Sequence, residues 1–228
     1  MVNEMNSYDI LLWLHVLVMG YWIGSDLVIN ALSHYVVRAG ELPGPERKRL
    51  WDFLMHVDQH PRNALILSVP LGFTLAAQIG LVQLDNAGLA VLWLASAAWF
   101  GHMWLTHWKR EEAAGTWLAK WDWRIRYVLI AAFLAMGVQS LLTGSPLAAP
   151  WLAWKVILFA CVMACGIGVR YYVRQCYRAW PRIWEGRATA EDEAWVRKAL
   201  MRANYVLWVL WGLLFVIGWL GVAKPGME

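Results

Sequence analysis

The sequence predicts an all-α polytopic membrane bundle of about six transmembrane helices with both termini outside. Three observations carry this expectation. Of 228 residues, 60% are hydrophobic and only 16% charged, with 18 tryptophans; the mean hydropathy is +0.43. Apolar runs of about 20 residues, the length that crosses a bilayer core, fall near 10–37, 63–84, 88–107, 125–143, 151–173 and 203–222. Lysine and arginine, which collect in cytoplasmic loops, lie on alternate connections only. The loop after the first run carries Arg38, Arg47, Lys48, Arg49 and Arg62, and the loop after the third carries Lys109, Arg110, Lys120, Arg124 and Arg126. The segment after the fifth carries seven more arginines and lysines from Arg174 to Arg202, whereas the remaining connections and the termini carry only Lys224.

The breaks between runs have their own chemistry. Pro43-Gly44-Pro45, the Asp85-Asn86 pair before Gly88, Gly144-Ser145-Pro146 and the charged stretch from Pro181 to Asp192 all disfavour continued helix. No room remains for a separate soluble domain, so residues 1–228 read as one integral membrane domain. The net charge of +4 follows from the loop bias, and binding to nucleic acid is not needed to explain it. The first run lacks the basic start and small-residue cleavage site of a signal peptide and is expected to remain as a span in a bacterial inner membrane. Cys161, Cys165 and Cys176 match no CxxC or zinc spacing and read as small buried residues.

The first run carries the chemistry. On a helix of 3.6 residues per turn, His15, Trp22, Asp26 and Ser33 fall within about 20° of one line. Ionisable groups at membrane depth are costly, and such a stripe must face protein, cofactor or water. It serves either a functional site or plain packing, with Asp26 and Asn30 making interhelical hydrogen bonds. A rise of about 1.5 Å per residue places His15 roughly 9 Å and Lys155 roughly 12 Å to the outer side of their midplanes, with Gln78 and Gln139 at about the same level. Lys155 at this depth either meets His15 or snorkels to the surface. His34, His56, His60, His102 and His107 lie on the inner side. Of these, His102 is deepest, with Ala95, Ala98 and Gly101 leaving room for a flat macrocycle or a neighbouring helix. Inward imidazoles in a helical bundle are the usual means of holding b-type haem, so His15 is the first candidate iron ligand, and His102 with His60 are candidates for a second haem. Most of the tryptophans suit interfacial belts; Trp22 is set apart by sharing the face of His15.

Leu14-His15, then Trp22, then the stretch from Leu32 to Arg38 containing His34 and Tyr35, resembles the first helix of HemJ-type protoporphyrinogen oxidases and, less closely, helices of CopD-type copper-resistance membrane proteins. Trp151-Leu152 followed by Lys155 is similar to the Trp-Leu-x-x-Lys helix of the same group, and Arg62, Pro70, Gly72 and Thr74 are similar to the intervening helix. The resemblance implies His15 as a haem ligand and Lys155 as its functional partner. Val28-Ile29-Asn30 stands where the family carries Leu-Pro-Arg, and the chain is longer, so haem binding is carried over ahead of the oxidase activity.

The expectation is therefore a haem b redox protein, with one haem or two, moving electrons between quinone and a partner redox protein or dehydrogenase subunit, as an oxidoreductase or the membrane subunit of one. His15 ligates iron, Lys155 lies across the haem or pairs with a propionate, Trp22 packs on the macrocycle, and Asp26 tunes the site or relays a proton. The alternatives are a HemJ-like porphyrinogen oxidase and a CopD-like copper or small-molecule transporter, against which the nine scattered methionines count. Lipid, and a second copy of the chain, are the other expected partners.

Overall fold

A computed structural model describes residues 6–226; Met1, Met5 and Met227 of the scattered methionines lie outside the described residues. The chain folds into helices α1 (Ser7–Arg38), α2 (Gly44–Val57), α3 (Gln59–Gln78), α4 (Asn86–Trp108), α5 (Ala113–Thr143), α6 (Pro150–Cys176), α7 (Trp180–Trp184) and α8 (Ala190–Ala223). Five of them, α1, α4, α5, α6 and α8, are long and apolar enough to cross a membrane. Helix α3 occupies the expected second run but carries Arg62, Asn63, Pro70 and Thr74 and is heavily buried, in contact with both α1 and α4. A helix covered by its neighbours has less need of an apolar surface of its own.

The ends of the helices are written in the sequence. Asn6 and Asp9 form a reciprocal capping box at the start of α1, as do Thr189 and Asp192 at the start of α8. The Asp85 side chain accepts from Gly88 N at 2.8 Å and starts α4, and Gly144, at φ +72°, terminates α5 in the left-handed conformation that favours glycine. The second apolar run was expected to continue to residue 84, but α3 stops at Gln78. Gly80 turns the chain at φ +73°, and Val82 leaves the helical register to pair with Leu147 in an isolated antiparallel bridge. The loop after α3 is thereby tied to the loop after α5. In the other direction α5 and α8 start well before their apolar runs. At about 1.5 Å per residue, the 34 residues of α8 reach about 50 Å, well beyond a hydrocarbon core of about 30 Å.

Neighbours in the bundle follow chain order. Helices α1, α3, α4, α5, α6 and α8 each pack on the next, and α8 returns to α1, closing a ring. Tyr8 of α1, Ile79 after α3, Trp151 of α6 and Lys224 after α8 share one cavity, so both ends of the described chain lie at the same end of the bundle. At the opposite, basic end, α2 and α7 fold under the ring. Arg47 of α2, 2% exposed, donates from Nε to Val36 O at 3.2 Å and, through both terminal nitrogens, to Glu193 at 2.6 and 3.0 Å. It also lies over the Trp180 ring. This arginine, counted from sequence as a loop charge, is a structural pin between α1, α2 and α8. Trp51, Trp180 and Val196 complete the small core around it.

Helices α5 and α6 approach closely because position 137 has no side chain. A Cβ there would stand 2.4 Å from Ile157 Cγ1 and 3.0 Å from Ala153 O. Gly137→Ala is expected to cost about 1–3 kcal/mol by overpacking. Gly24→Ala, with nothing within 4 Å of the added carbon, should be neutral or slightly stabilising through helix propensity. Thermal unfolding of the two variants in the same detergent checks this, and equal melting temperatures would contradict the close approach.

Candidate functional site

The polar stripe of α1 faces protein throughout: Trp22, Asp26 and Ser33 are buried and His15 is half-buried. Its upper part opens on a cavity of about 560 Å3 at the termini end of the ring, walled by α1, α3, α5, α6 and α8. That volume lies within the roughly 300–1,000 Å3 of small-molecule and cofactor pockets. His15 and Lys155, paired by depth in the sequence, both line it, with Trp22. Lys155 and Lys224 are its charged wall residues, and no carboxylate lines it among the described residues. Gln78 and Gln139, expected at the same level, are exposed and outside the wall. Depth alone does not fix which way a residue faces around the helix.

His15 Nδ1 is buried with no hydrogen-bond partner among the described residues. Such an atom costs about 1–3 kcal/mol unless something binds it. Three glycines hollow out the wall around these groups. A Cβ at Gly72 would touch His15 Cε1 at 3.4 Å, one at Gly218 would lie 2.7 Å from Met19 Cε, and one at Gly221 would lie 2.7 Å from Lys155 Nζ. The Lys155 ammonium thus rests in a notch on α8, with the Trp151 ring 5.7 Å away as a cation–π neighbour. Val16 and Val222 line the cavity yet are 60% and 87% exposed, so the space opens at the surface.

A chain of aromatic rings crosses the bundle beneath the cavity. Phe73 stacks on Phe133 at 6.2 Å, Phe133 meets Phe159 at 5.9 Å, and Phe159 meets Trp22 edge-on at 6.4 Å. All four rings line the cavity, and Trp22 also lines a second space of about 140 Å3 toward the basic end. Asp26 belongs to that second space and is absent from the His15 cavity. Asp26, expected to tune the site or relay a proton, is eleven residues from His15, about 16 Å along the axis, and lines the second space. Asp26 Oδ2 instead accepts from Trp211 Nε1 at 3.4 Å. One turn further, Asn30 donates to Asn204 Oδ1 at 2.8 Å, and the Asn204 amide meets His34 Nε2 at 2.6 Å. These contacts sew α1 to α8.

The other histidines are engaged elsewhere. His102 Nε2 lies 3.1 Å from Leu118 O, and His60 Nδ1 is hydrogen-bonded to the Tyr21 hydroxyl. Neither lines either cavity. His56 and His107 face each other, 3.4 Å apart. No group of three or more histidine, cysteine or acidic side chains among the described residues has the arrangement of a metal site.

One cluster escaped the sequence reading. Asp122, 2% exposed, accepts from Arg126 Nε at 3.1 Å, Arg170 Nη1 at 2.6 Å and Trp99 Nε1 at 3.1 Å. It ties α4, α5 and α6 together near the basic end. The i,i+4 spacing of Asp122 and Arg126 was the available signal, and Arg170 stood inside an otherwise apolar run. Removing one member of a buried ion cluster leaves uncompensated charge. Asp122→Asn is therefore expected to lower stability by about 3–5 kcal/mol, read from thermal or denaturant unfolding; a loss under 1 kcal/mol would show that the arginines are satisfied without it.

Comparison with protein-family models, curated proteins and solved structures gives no match for this chain.

Proposed function

We propose that the chain is a six-span protein of a bacterial inner membrane that binds haem b in the larger cavity and passes electrons between quinone and a partner redox protein. The carrying observation is the unpartnered imidazole of His15 in the wall of a mostly apolar cavity of about 560 Å3 that also holds Lys155. The residues present suit the group. His15 offers a nitrogen ligand, Lys155 and Lys224 offer cations to propionates, and the glycine-hollowed walls of α3 and α8 with the phenylalanine rings provide a flat, apolar enclosure. The resemblance of the His15 and Lys155 helices to HemJ-type proteins agrees with this assignment and pairs the same two residues.

Bound haem supplies a one-electron Fe(III)/Fe(II) couple. The chain's part is to hold and insulate it. His15 would hold the iron, Lys155, kept within reach by the Gly221 notch, would be a charge partner, and Trp22 with Phe159 would close the floor against the polar space below. By the distribution of lysine and arginine, the termini end faces outside and the end carrying α2 and α7 faces the cytoplasm, with α3 counted as the sixth span.

His15→Ala is expected to remove most of the haem from protein that still inserts, because an iron bond is lost where an ordinary hydrogen bond contributes about 1 kcal/mol. Lys155→Ala should weaken retention or shift the potential by less. The measurement is the Soret spectrum with and without dithionite, together with iron per chain, on protein purified with haem supplied. Wild-type protein without a Soret band, or a His15→Ala spectrum at full intensity, would overturn the assignment. Porphyrinogen turnover by the same preparation would select the oxidase reading of the same cavity.

Orientation is checked separately. Reporters fused before Ser7 and after Glu228 should read outside, and one in the turn around residues 109–112 inside. A terminus reading inside would refute the topology.

A further inference from the structure

The ring closes where α1 meets α8, and the two halves of that seam are built differently. Toward the basic end it is held by hydrogen bonds, Asp26 with Trp211 and Asn204 with both Asn30 and His34. Toward the termini end the Met19 side chain packs on the backbone of Gly218, where an added Cβ would lie 2.7 Å from Met19 Cε. Met19 lies seven residues before Asp26 and Gly218 seven after Trp211, so the seam keeps antiparallel register. Three residues further out, the same register puts Gly221 opposite Val16. Gly221 has no side chain to close the seam, and the place of its Cβ is occupied by Lys155 Nζ, 2.7 Å away. Leu12 and Val16 of α1 and Val222 of α8 all line the larger cavity while remaining 40%, 60% and 87% exposed. The cavity therefore opens through the seam. Val16 stands about 8 Å to the outer side of the midplane, inside a half-core of about 15 Å, so the mouth faces lipid tails.

We infer that the larger cavity is entered sideways, from the outer leaflet between α1 and α8, by a carboxylate-bearing amphiphile of one chain or one ring system. The wall stacks its polar and apolar parts in the order such a molecule adopts in a bilayer. Lys155, roughly 12 Å to the outer side of the midplane, and Lys224 are the charged residues of the wall, and no carboxylate lines it among the described residues. Lys155 is half-buried and reaches the cavity surface, so its ammonium is open to an anionic head. In so apolar a setting a charge-assisted hydrogen bond is worth more than in water. Below that level the wall is Val16, Met19, Phe159 and Trp22, and Trp22 lies at about the midplane. The cavity is thus about one leaflet deep, charged at the top and apolar to the floor, and its volume of about 560 Å3 suits one compact ligand. A molecule sliding in from the leaflet crosses only valine and leucine at the mouth and keeps its head at one height. Haem, an apolar ring with carboxylates along one edge, belongs to this class; the inference rests on the haem reading for the resident ligand and on the cavity alone for the route.

The test uses palmitate carrying a mid-chain diazirine, added to the full-length protein in phosphatidylcholine nanodiscs and activated by light, with the adducts mapped by mass spectrometry. Saturable labelling of Met19 and Phe159, behind the mouth, is expected beside the unsaturable labelling of lipid-facing Val91, which is 66% exposed. Lys155→Ala should weaken the saturable labelling about tenfold, the effect of losing a charge-assisted hydrogen bond. Val16→Trp, which alters no charge and sits on the lipid side of the wall, should suppress it by closing the mouth, and is the decisive variant if Lys155→Ala does not fold. Adducts confined to lipid-facing positions such as Val91, or wall labelling unchanged in both folded variants, would overturn the proposal. Haem should displace the probe; saturable wall labelling that resists haem would support the sideways site and overturn the haem assignment instead.

Discussion

Inside a bilayer there is no water to satisfy a polar side chain, so each one must find its partner in the chain or in something the chain binds. The arrangement of this bundle follows from that constraint. Asp122 collects two arginines and an indole, Asn204 collects Asn30 and His34, and Asp26 takes the Trp211 indole. Each set lies between helices, and together they fix which face of each helix turns inward. Apolar packing alone discriminates poorly here, because lipid tails compete on equal terms with leucine. Among the described residues the buried side-chain atoms left without a partner are His15 Nδ1, Gln59 Oε1, Arg126 Nη2 and the Nε1 atoms of Trp151, Trp180 and Trp184.

The aromatic floor gives the two cavities different surroundings. On the termini side of Trp22 the wall is apolar with lysines at the rim; on the basic side it carries arginine, aspartate and asparagine. Phe73, Phe133, Phe159 and Trp22 come from four different helices. The partition therefore depends on the whole ring and on no single segment. Trp22 lines both compartments.

Much of this was legible in the sequence, and the failures share a cause. Rise per residue put His15 and Lys155 at about one level, and they line one cavity. Periodicity predicted that Trp22, Asp26 and Ser33 would be buried, and they are. Each method gives one coordinate only. Periodicity put Asp26 on the face of His15 but not at its height, three turns away, while depth put Gln78 and Gln139 at the level of Lys155 although both are exposed. Arg47 and Arg126 were counted as loop charges because a basic residue at the end of an apolar run reads as a topology marker; both are buried in ion pairs. Helix α3 was found although its composition is the least apolar of the long helices, but its end was misplaced because an extended bridge beyond Gly80 is as hydrophobic as a helix.

The closure of the ring by its first and last helices has a consequence for biogenesis. The partners of Asp26 and Asn30 on α8 lie 185 and 174 residues away. At synthesis rates of about 5–20 residues per second, roughly ten to forty seconds separate their emergence from the ribosome. During that interval α1 sits in the membrane with its polar stripe unmatched on the α8 side, and the larger cavity lacks the wall that carries Gly218 and Gly221. Any cofactor enclosed by all five walls is thus loaded after translation ends, and a chain truncated before α8 would present an open, polar-striped trough to the insertion and quality-control machinery.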